Sequence, residues 1–516
     1  MRLLSAIATV GGYTLASRAL GFVRDILIAA FLGAGPVADA FFVAFKLPNF
    51  FRRLFAEGAF SAAFVPLFTR ILTEDGTDAA RRFSERALSV LAAVLLVFCT
   101  AMQIAMPWAM YLFAPGFASD PAKFDLAVEL ARIAFPYLLF ISLVSQLGGV
   151  LNALDRFAAA AAAPILLNLS LILCLIGLAP ILETPGHALA WGVFAAGVIQ
   201  FLWLIEACRR AGMVFRLPRP RLTPAVRRLV AKIVPGAIGA GVQQINLVIG
   251  VILASLLPTG AVSYLYYADR VYQLPLGVIG IAVGTALLPL LSRQIREGDE
   301  AGGRESFNRA LEFSLLLTLP AAAALMVMPG PIVALLFERG AFDARSTAAT
   351  AAALAAFAAG LPAFVLVKVL APGFFAREDV TTPVKIAGVS VAANIALSVI
   401  LLGPLQHVGL ALATSAASWL NAFLLAFVLH RRGQFAIDRR LRTRLFRIVL
   451  ATFAMTAILL AGLEVLATML AGTPLERGLA VVVLIVAGKA AYAAAAFTLG
   501  AAEFSEIRGS LSRRKA

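Results

Sequence analysis

The segment AFSAAFVPLFTR, residues 59–70, returns in altered form as AVGTALLPLLSR, residues 282–293. Each copy ends in a proline, two apolar residues, a hydroxyl residue and an arginine. Other matches keep the same offset of about 223 residues: LFAPGFASD (112–120) with LFERGAFDA (336–344), and Arg209-Arg210 with Arg431-Arg432. Several matches at one offset indicate a tandem duplication.

Hydropathy shows what each repeat is made of. Of the 516 residues, 61% are hydrophobic and 14% are charged, and the mean hydropathy is +0.92, above what a soluble globular domain carries. Windows of about twenty apolar residues recur roughly fourteen times. We therefore predict an all-α polytopic membrane protein. Its expected parts are a six-helix lobe at residues 1–215, a second at 216–435, and two extra helices near 447–471 and 478–502 within residues 436–516.

The basic residues are distributed unevenly among the connections. Connections after even-numbered helices hold most of them, whereas those after odd-numbered helices hold only Lys123, Arg339, Arg345 and Arg477. The positive-inside rule then places both termini in the cytoplasm, which requires an even number of spans. The net charge of +16 is explained by this cytoplasmic placement of basic connections, where they also meet anionic lipid headgroups. We therefore expect no nucleic-acid partner.

The repeat also predicts how the protein works. A six-helix unit returns the chain to the side on which it started, so the two lobes point the same way and are related by an axis along the membrane normal. Such a pair encloses a central cavity. This architecture is typical of transporters that expose the cavity to each side in turn.

Charged residues within the predicted spans mark the expected cavity. Each unpaired charge at a bilayer centre costs about 2.5 kcal/mol or more, so a hydrated interior is their expected place. Two others, Arg132 and Lys489, lie nearer span ends and are expected to extend to the interface. The cationic candidates are Arg18, Arg24, Lys46, Arg52, Arg53, Arg270 and Lys368, and the accompanying acids are Asp25, Asp39, Glu57 and Asp269.

The second helix arranges several of these charges on one side. Asp39, Lys46, Arg53 and Glu57 follow steps of seven, seven and four residues, which keeps them near one helical face. Arg53 and Glu57 have the spacing of a pair that neutralises itself, and this structural interpretation stays open beside the functional one. Pro48 removes a backbone hydrogen bond and predicts a bend near the arginines.

An excess of guanidinium groups over acids predicts an anionic ligand. The planar guanidinium donates two parallel hydrogen bonds and stays charged, which suits phosphate or pyrophosphate. The predicted helices at 228–257, 383–403 and 408–430 hold no acid, and this disfavours a cation or drug exporter.

Nothing in the sequence predicts catalysis. The three histidines lie at expected span ends far apart in the chain, and no nucleophile motif or metal-ligand spacing occurs. We therefore expect no enzyme activity, no cofactor and no metal site.

Four segments resemble the signature sequences of one family. They are SRALGFVRD (17–25), GAGPVADAFFVAFKLPNFFRRLFAEGAFSAAFVP (33–66), YYADRVYQLPLGVIGIAVGTALLP (266–289) and VKVLAPGFFAREDVTTPVKI (367–386), and they are similar to those of the MurJ (MviN) family. The family comprises the bacterial lipid II flippases of the multidrug, oligosaccharidyl-lipid and polysaccharide (MOP) exporter superfamily.

The resemblance implies a substrate, a membrane and a set of site residues. The substrate is lipid II, an undecaprenyl-pyrophosphate disaccharide-pentapeptide, moved from the cytoplasmic to the periplasmic leaflet of the inner membrane. The two extra helices would hold its polyprenyl tail, and cell-wall synthesis proteins are possible partners. The family's cavity residues correspond to Arg18, Arg24, Asp39, Arg52, Arg53, Glu57, Arg270 and Lys368, with the arginines binding the pyrophosphate.

Two alternatives remain open at the level of sequence. A flippase for another polyprenyl-pyrophosphate glycan, such as an O-antigen or exopolysaccharide unit, would need the same arginines. A non-transporting scaffold of the cell-wall machinery is disfavoured, because a scaffold gains nothing from placing cations within the membrane.

Overall fold

A computed structural model describes residues 2–53 and 59–502 of the chain. Within those ranges, it does not describe the side chains of residues 2–8, 59, 61–62, 234–243, 278 and 280–286. The regular structure of the described ranges is helical. Its α-helices are α1 (Arg2–Leu32), α2 (Pro36–Arg52), α3 (Ala59–Glu74), α4 (Gly76–Phe113), α5 (Pro121–Ala134), α6 (Tyr137–Ala153), α7 (Phe157–Leu178), α8 (Pro185–Arg210), α9 (Pro224–Ser255), α10 (Ala261–Arg296), α11 (Glu300–Val327), α12 (Pro329–Phe337), α13 (Ala344–Phe375), α14 (Thr381–Arg431), α15 (Arg439–Val465), α16 (Ala467–Leu470) and α17 (Pro474–Thr498).

These helices confirm the prediction of an all-α polytopic membrane protein with about fourteen spans. Among the described residues, nine helical segments are long and apolar enough to cross a membrane. One of them, α14, has 51 residues, which at about 1.5 Å per residue is more than twice the thickness of a hydrocarbon core. The arginines of the candidate cavity set lie on or at the end of α1, α2 and α10, and these three helices are not among the nine segments.

A break inside α14 divides it into the two predicted helices. Gln406 adopts φ 48° and ψ −130°, a conformation that no helix tolerates. Pro404 lacks the amide hydrogen that a continuing helix would use. Gly409 packs so closely that a Cβ there would lie 2.4 Å from the carbonyl oxygen of Leu401. The predicted boundary between residues 403 and 408 is therefore confirmed.

The last two long helices begin earlier than the apolar pattern predicted. α15 starts at Arg439 because Asp438 caps it, accepting a hydrogen bond from the backbone N–H of Leu441 at 2.6 Å. α17 starts after Thr473, which forms a capping box with Glu476. Capping side chains determine where a helix begins, whereas hydropathy finds only its membrane-buried part.

The chain forms two compact units. The first contains residues 1–263 and 339–342. Its core joins α3, α4, α6, α8 and α9, with Phe60, Phe64, Phe68 and Phe83 stacked at the centre. α9 thus belongs to the first unit by packing, although the sequence repeat assigns it to the second lobe.

The second unit contains residues 264–338 and 343–516. One of its cores joins α10, α11, α13 and α14 around Phe307 and Phe374. Another packs α15 and α17 against each other and against α11 and α12, with Met455 and Leu484 buried. The extra helices therefore pack as part of the second unit.

Within the first unit, two loops related by the sequence repeat make similar backbone contacts. Gly116, between α4 and α5, donates its N–H to Ser255 Oγ at 3.2 Å, and a Cβ on it would lie 2.1 Å from the Ser255 carbonyl oxygen. Gly340, at φ +59°, lies so close to α1 that a Cβ would be 2.3 Å from the carbonyl oxygen of Ala30. The next residue, Ala341, donates its N–H to that oxygen at 2.8 Å. Each loop meets the end of the first helix of the other repeat.

Candidate functional site

A buried ion pair occupies the middle of α1. Arg24 is 8% exposed, and its Nε and Nη2 donate to Asp25 Oδ1 at 3.0 and 2.7 Å. Its Nη1 donates to Asn168 Oδ1 on α7 at 2.9 Å, and Asn168 Nδ2 in turn donates to the Ser17 carbonyl at 2.9 Å. The charge of Arg24 is thus neutralised by its neighbour and fixed in place by α7. We did not identify Asn168 from the sequence, because nothing local marks a partner 144 residues away.

Arg18, less than two turns earlier on α1, has a different environment. Its side chain is exposed and has no hydrogen bond or ion pair with any described residue. The six-residue step between Arg18 and Arg24 places them about 120° apart around the helix axis. Arg18 therefore keeps a full charge that an anion can approach.

Asp39 on α2 accepts hydrogen bonds at both of its carboxylate oxygens. It is 1% exposed. Its Oδ1 accepts hydrogen bonds from the N–H and the Oγ of Ser263 at 3.0 and 2.6 Å. Its Oδ2 accepts from Lys123 Nζ at 2.9 Å and from the N–H of Gly260 at 2.8 Å. This carboxylate joins α2 to α5 and to the start of α10.

Lys123 was interpreted from the sequence only as a loop cation. It lies in the first turn of α5 and is 5% exposed, with its Nζ 4.2 Å above the ring of Phe117. A lysine so buried requires a carboxylate partner, and Asp39 supplies it. Because both charges of the pair are buried, Asp39 contributes no exposed acid to the polar stripe predicted along α2.

The remaining cations of α2 are more accessible. Lys46 and Arg53 are exposed, and Arg52 is half-buried. Arg52 Nε donates to Asn49 Oδ1 at 3.2 Å, and Arg53 Nη1 donates to Gln244 Oε1 at 3.3 Å. Both of these partners are neutral amides, and the contacts orient the two guanidinium groups.

Two features of this segment were predicted from the sequence, a pair of Arg53 with Glu57 and a bend at Pro48. Glu57, the expected partner of Arg53, lies outside the described residues. α2 continues through Pro48 to Arg52, and Pro48 is buried. Arg52 is therefore the last residue of α2, and Arg53 is its C-cap.

In the second unit, α10 carries Asp269 and Arg270. The guanidinium of Arg270 lies over the ring of Tyr266, 4.7 Å from its centre. The carboxylate of Asp269 accepts a hydrogen bond from Gln273, one turn later. Lys368 on α13 is exposed. These contacts of Asp269 and Arg270 are thus with different residues, Gln273 and Tyr266.

Exposed cations occur among the candidate residues of each unit taken by itself, and buried acids occur among those of the first unit. Arg18, Lys46, Arg53 and Lys368 are exposed cations on otherwise apolar helices, and the carboxylates of Asp25 and Asp39 are occupied by buried cations. Among the described side chains, no group of three His, Cys, Asp or Glu suits a metal ion. Guanidinium groups such as those of Arg18 and Arg53 have the geometry that binds phosphate oxygens.

The chain is similar to known proteins over most of its length. The family model described as lipid II flippase MurJ matches residues 28–477. A protein of Rhizobium meliloti (strain 1021), named probable lipid II flippase MurJ, is 50% identical over 521 residues, which cover 99% of this chain and 97% of that protein.

Solved structures agree with this assignment. The structure described as "Lipid II flippase MurJ, inward closed conformation" is similar with a TM-score of 0.79 and 25% identity, over 94% of this chain and 97% of that one. An inward-facing multidrug resistance MATE family transporter of the MOP superfamily has a TM-score of 0.64 at 16% identity, over 81% of this chain and 94% of that one, and this likeness shows the fold alone. With a family model matched over most of its length and a full-length relative at 50% identity, the chain belongs to the MurJ family.

Proposed function

We propose that this protein is a lipid II flippase, which moves the polyprenyl-pyrophosphate disaccharide-pentapeptide from the cytoplasmic to the periplasmic leaflet by alternating access. The observation that carries the proposal is the 50% identity to a probable lipid II flippase over essentially the whole of both chains. The exposed cations on apolar helices support it, because they supply what an anionic lipid headgroup needs.

The headgroup cannot cross the membrane unaided. Its sugars, peptide and pyrophosphate would lose hydration worth several kcal/mol for each unsatisfied polar group. Guanidinium groups held on membrane helices replace that hydration at the phosphates with charge-assisted hydrogen bonds. Bound anion also reduces the repulsion among the cations, so the occupied protein favours the conformation that holds the ligand best.

We assign the arginines two roles. Arg18 and Arg53 keep exposed guanidinium groups and bind the pyrophosphate directly, together with Arg52 and Arg270. Arg24 is already bonded to Asp25 and Asn168, and therefore it positions α1 against α7. Lys46 and Lys368 add positive charge that attracts the headgroup.

The remaining parts of the proposal concern the tail and the topology. Phe446 and Phe453 on α15 and Val482 and Val486 on α17 are exposed aliphatic or aromatic side chains, which suit a polyprenyl chain. Both termini lie in the cytoplasm by the positive-inside rule. The two lobes of the proposal end at residues 215 and 435, the limits of the sequence repeats. Cell-wall synthesis proteins are the expected neighbours in the inner membrane.

A leaflet-accessibility assay tests the proposal. Cells depleted of this protein are complemented with the parent chain, Arg18→Gln or Arg53→Gln, and externally accessible lipid II is measured at matched protein levels. Loss of a charge-assisted hydrogen bond worth about 1.5–3 kcal/mol lowers transport about tenfold to a hundredfold. Arg132→Gln is the matched control, because exposed Arg132 donates to the carbonyl of Gln103 at 3.0 Å and belongs to no cationic cluster.

Two failures of this assay have different meanings. Normal delivery of lipid II in depleted cells would refute the flippase function itself. Delivery that requires the protein but is unchanged by Arg18→Gln and Arg53→Gln would leave the function standing and refute the binding role of these arginines.

A further inference from the structure

The connection between α8 and α9, residues 213–223, forms neither helix nor strand and lies along α4. We refer to these residues as the strap. Met213 is buried in the core of the first unit and Phe215 packs against that core. Beyond them, the backbone N–H of Arg216 donates to Glu85 Oε1 at 2.9 Å. The main chain of the strap is thus fixed to a buried acid of α4.

A second anchor also uses the main chain of the strap. Arg86 Nη1 donates to the carbonyl oxygen of Arg219 at 3.1 Å. Because α4 supplies both polar partners and the strap supplies only backbone atoms, the strap's own arginine side chains take no part in holding it. Arg216, Arg219 and Arg221 are exposed and have no side-chain hydrogen bond or ion pair with any described residue.

Nearby arginines have a different arrangement. Arg209 and Arg210, at the end of α8, donate to Glu206 at 2.7 and 2.8 Å. Both guanidinium groups thus bond to one carboxylate within the helix. The unpaired cations are therefore a property of the strap and not of every basic residue in this region.

Large aliphatic side chains alternate with the strap arginines. Val214, Leu217 and Leu222 are 53%, 66% and 59% exposed. Glu85 and Arg86, which anchor the strap, directly precede the apolar run of α4 from Ala87 onward. The strap is thus attached where that helix enters the hydrocarbon region, at the depth of the lipid headgroups.

We propose that the strap is a binding surface for anionic phospholipid headgroups, with Arg216, Arg219 and Arg221 on the phosphates and Leu217 and Leu222 in the acyl boundary. Charge complementarity favours this occupant, because guanidinium groups bind phosphate through two parallel hydrogen bonds. Exposed leucines beside them gain from leaving water for the acyl boundary, as amphipathic segments do at membrane surfaces. The surface does not depend on which substrate the protein transports.

A fluorescent probe on the strap tests this proposal. The full-length chain carrying Leu217→Cys is labelled with bimane and reconstituted in vesicles of phosphatidylcholine, with or without phosphatidylglycerol. The unsubstituted chain measures background labelling, because Cys174 is half-buried whereas Cys99 and Cys208 are buried. We expect phosphatidylglycerol to shield the probe from aqueous iodide and to expose it to quenchers attached to lipid headgroups.

Arginine variants then show whether the guanidinium groups are responsible. Each cation at an anionic surface strengthens association about fivefold, so Arg219→Gln raises the phosphatidylglycerol content needed for shielding by about that factor. The triple change Arg216→Gln, Arg219→Gln and Arg221→Gln abolishes the dependence on phosphatidylglycerol. Arg209→Gln with Arg210→Gln is the matched control and leaves the dependence unchanged.

Three results would overturn the proposal. The probe would remain accessible to iodide in both types of vesicle, or it would be shielded equally without phosphatidylglycerol, or the triple variant would respond as the parent does. Shielding in native membranes that is missing from phosphatidylglycerol vesicles would assign the strap to a protein partner instead. Lipid II delivery is measured separately, so failure here leaves the flippase proposal untouched.

Discussion

Breaking the buried pair of Lys123 and Asp39 should be among the most destabilising single changes in the first unit. Lys123→Met keeps a side chain of similar length but leaves Asp39, 1% exposed, without its cation. Removing one partner of a buried ion pair costs about 3–5 kcal/mol, because the other charge stays buried. We therefore expect Lys123→Met to lower the free energy of unfolding by about that amount.

The bonding of Asp39 also predicts the effect of changing the acid. Each of its oxygens accepts two hydrogen bonds, from Ser263 on one side and from Lys123 and Gly260 on the other. Asp39→Asn replaces one oxygen with an NH₂ group that faces two donors. Losing a buried hydrogen bond to a charged group costs about 1.5–3 kcal/mol, so the loss is again several kcal/mol.

A double-mutant cycle isolates the interaction of the pair. The free energy of unfolding is measured in mixed detergent micelles for both single variants and for Asp39→Asn with Lys123→Met. Residues in direct contact show coupling energies of about 0.5–3 kcal/mol, and the double variant should therefore lose less than the sum of the single losses. Lys232→Met, at an exposed lysine of α9, is the control and should stay within about 0.5 kcal/mol of the parent. A loss below about 1 kcal/mol for Lys123→Met, or additive single effects, would refute the reasoning.

Three further predictions concern other contacts and use the same unfolding measurement. Gly340→Ala should cost about 2–4 kcal/mol, because alanine resists a positive φ and its Cβ would overlap the Ala30 carbonyl; an unchanged unfolding transition would contradict that close approach. Asn168→Leu should cost about 1.5–3 kcal/mol by removing an acceptor of the buried guanidinium on α1, and a neutral effect would show that the amide is dispensable. Hydrogen bonds from the side chains of Arg432 and then Thr382 hold the pKa of Asp379 below its ordinary value. The stability they contribute is therefore present above the ordinary pKa of an aspartate and is lost as the pH falls below it, and Arg432→Ala should flatten this acid dependence.

The sequence predicted the helices better than their contacts. Apolar windows identify spans because each membrane helix must be apolar along most of its length. They also placed the break of α14, since proline and glycine mark it locally. Helix starts were missed where capping residues decide them, as at Asp438, because those residues lie outside the apolar window.

The candidate site was predicted as a set of residue types but not as a set of partners. Arg24 was expected to be an uncompensated cation, yet it is bonded to Asp25 and Asn168. Lys123 and Asp39 lie 84 residues apart, and periodicity along one helix cannot show a partner on another. By contrast, Arg18 is exposed, and it forms no ion pair with any acid in the part of the chain that the structure describes.

The docking of residues 339–342 on α1 has a consequence for the order in which the protein is made. These residues belong to the first unit by packing. In the chain they come after its main segment, which ends at residue 263, and α10, α11 and α12 lie between the two. During synthesis the N-terminal half is therefore inserted into the membrane before one of its own contacts exists. The backbone bond from Ala341 to Ala30 closes only after the ribosome has passed the middle of the second repeat, so completion of the first unit depends on successful insertion of the helices that come after it.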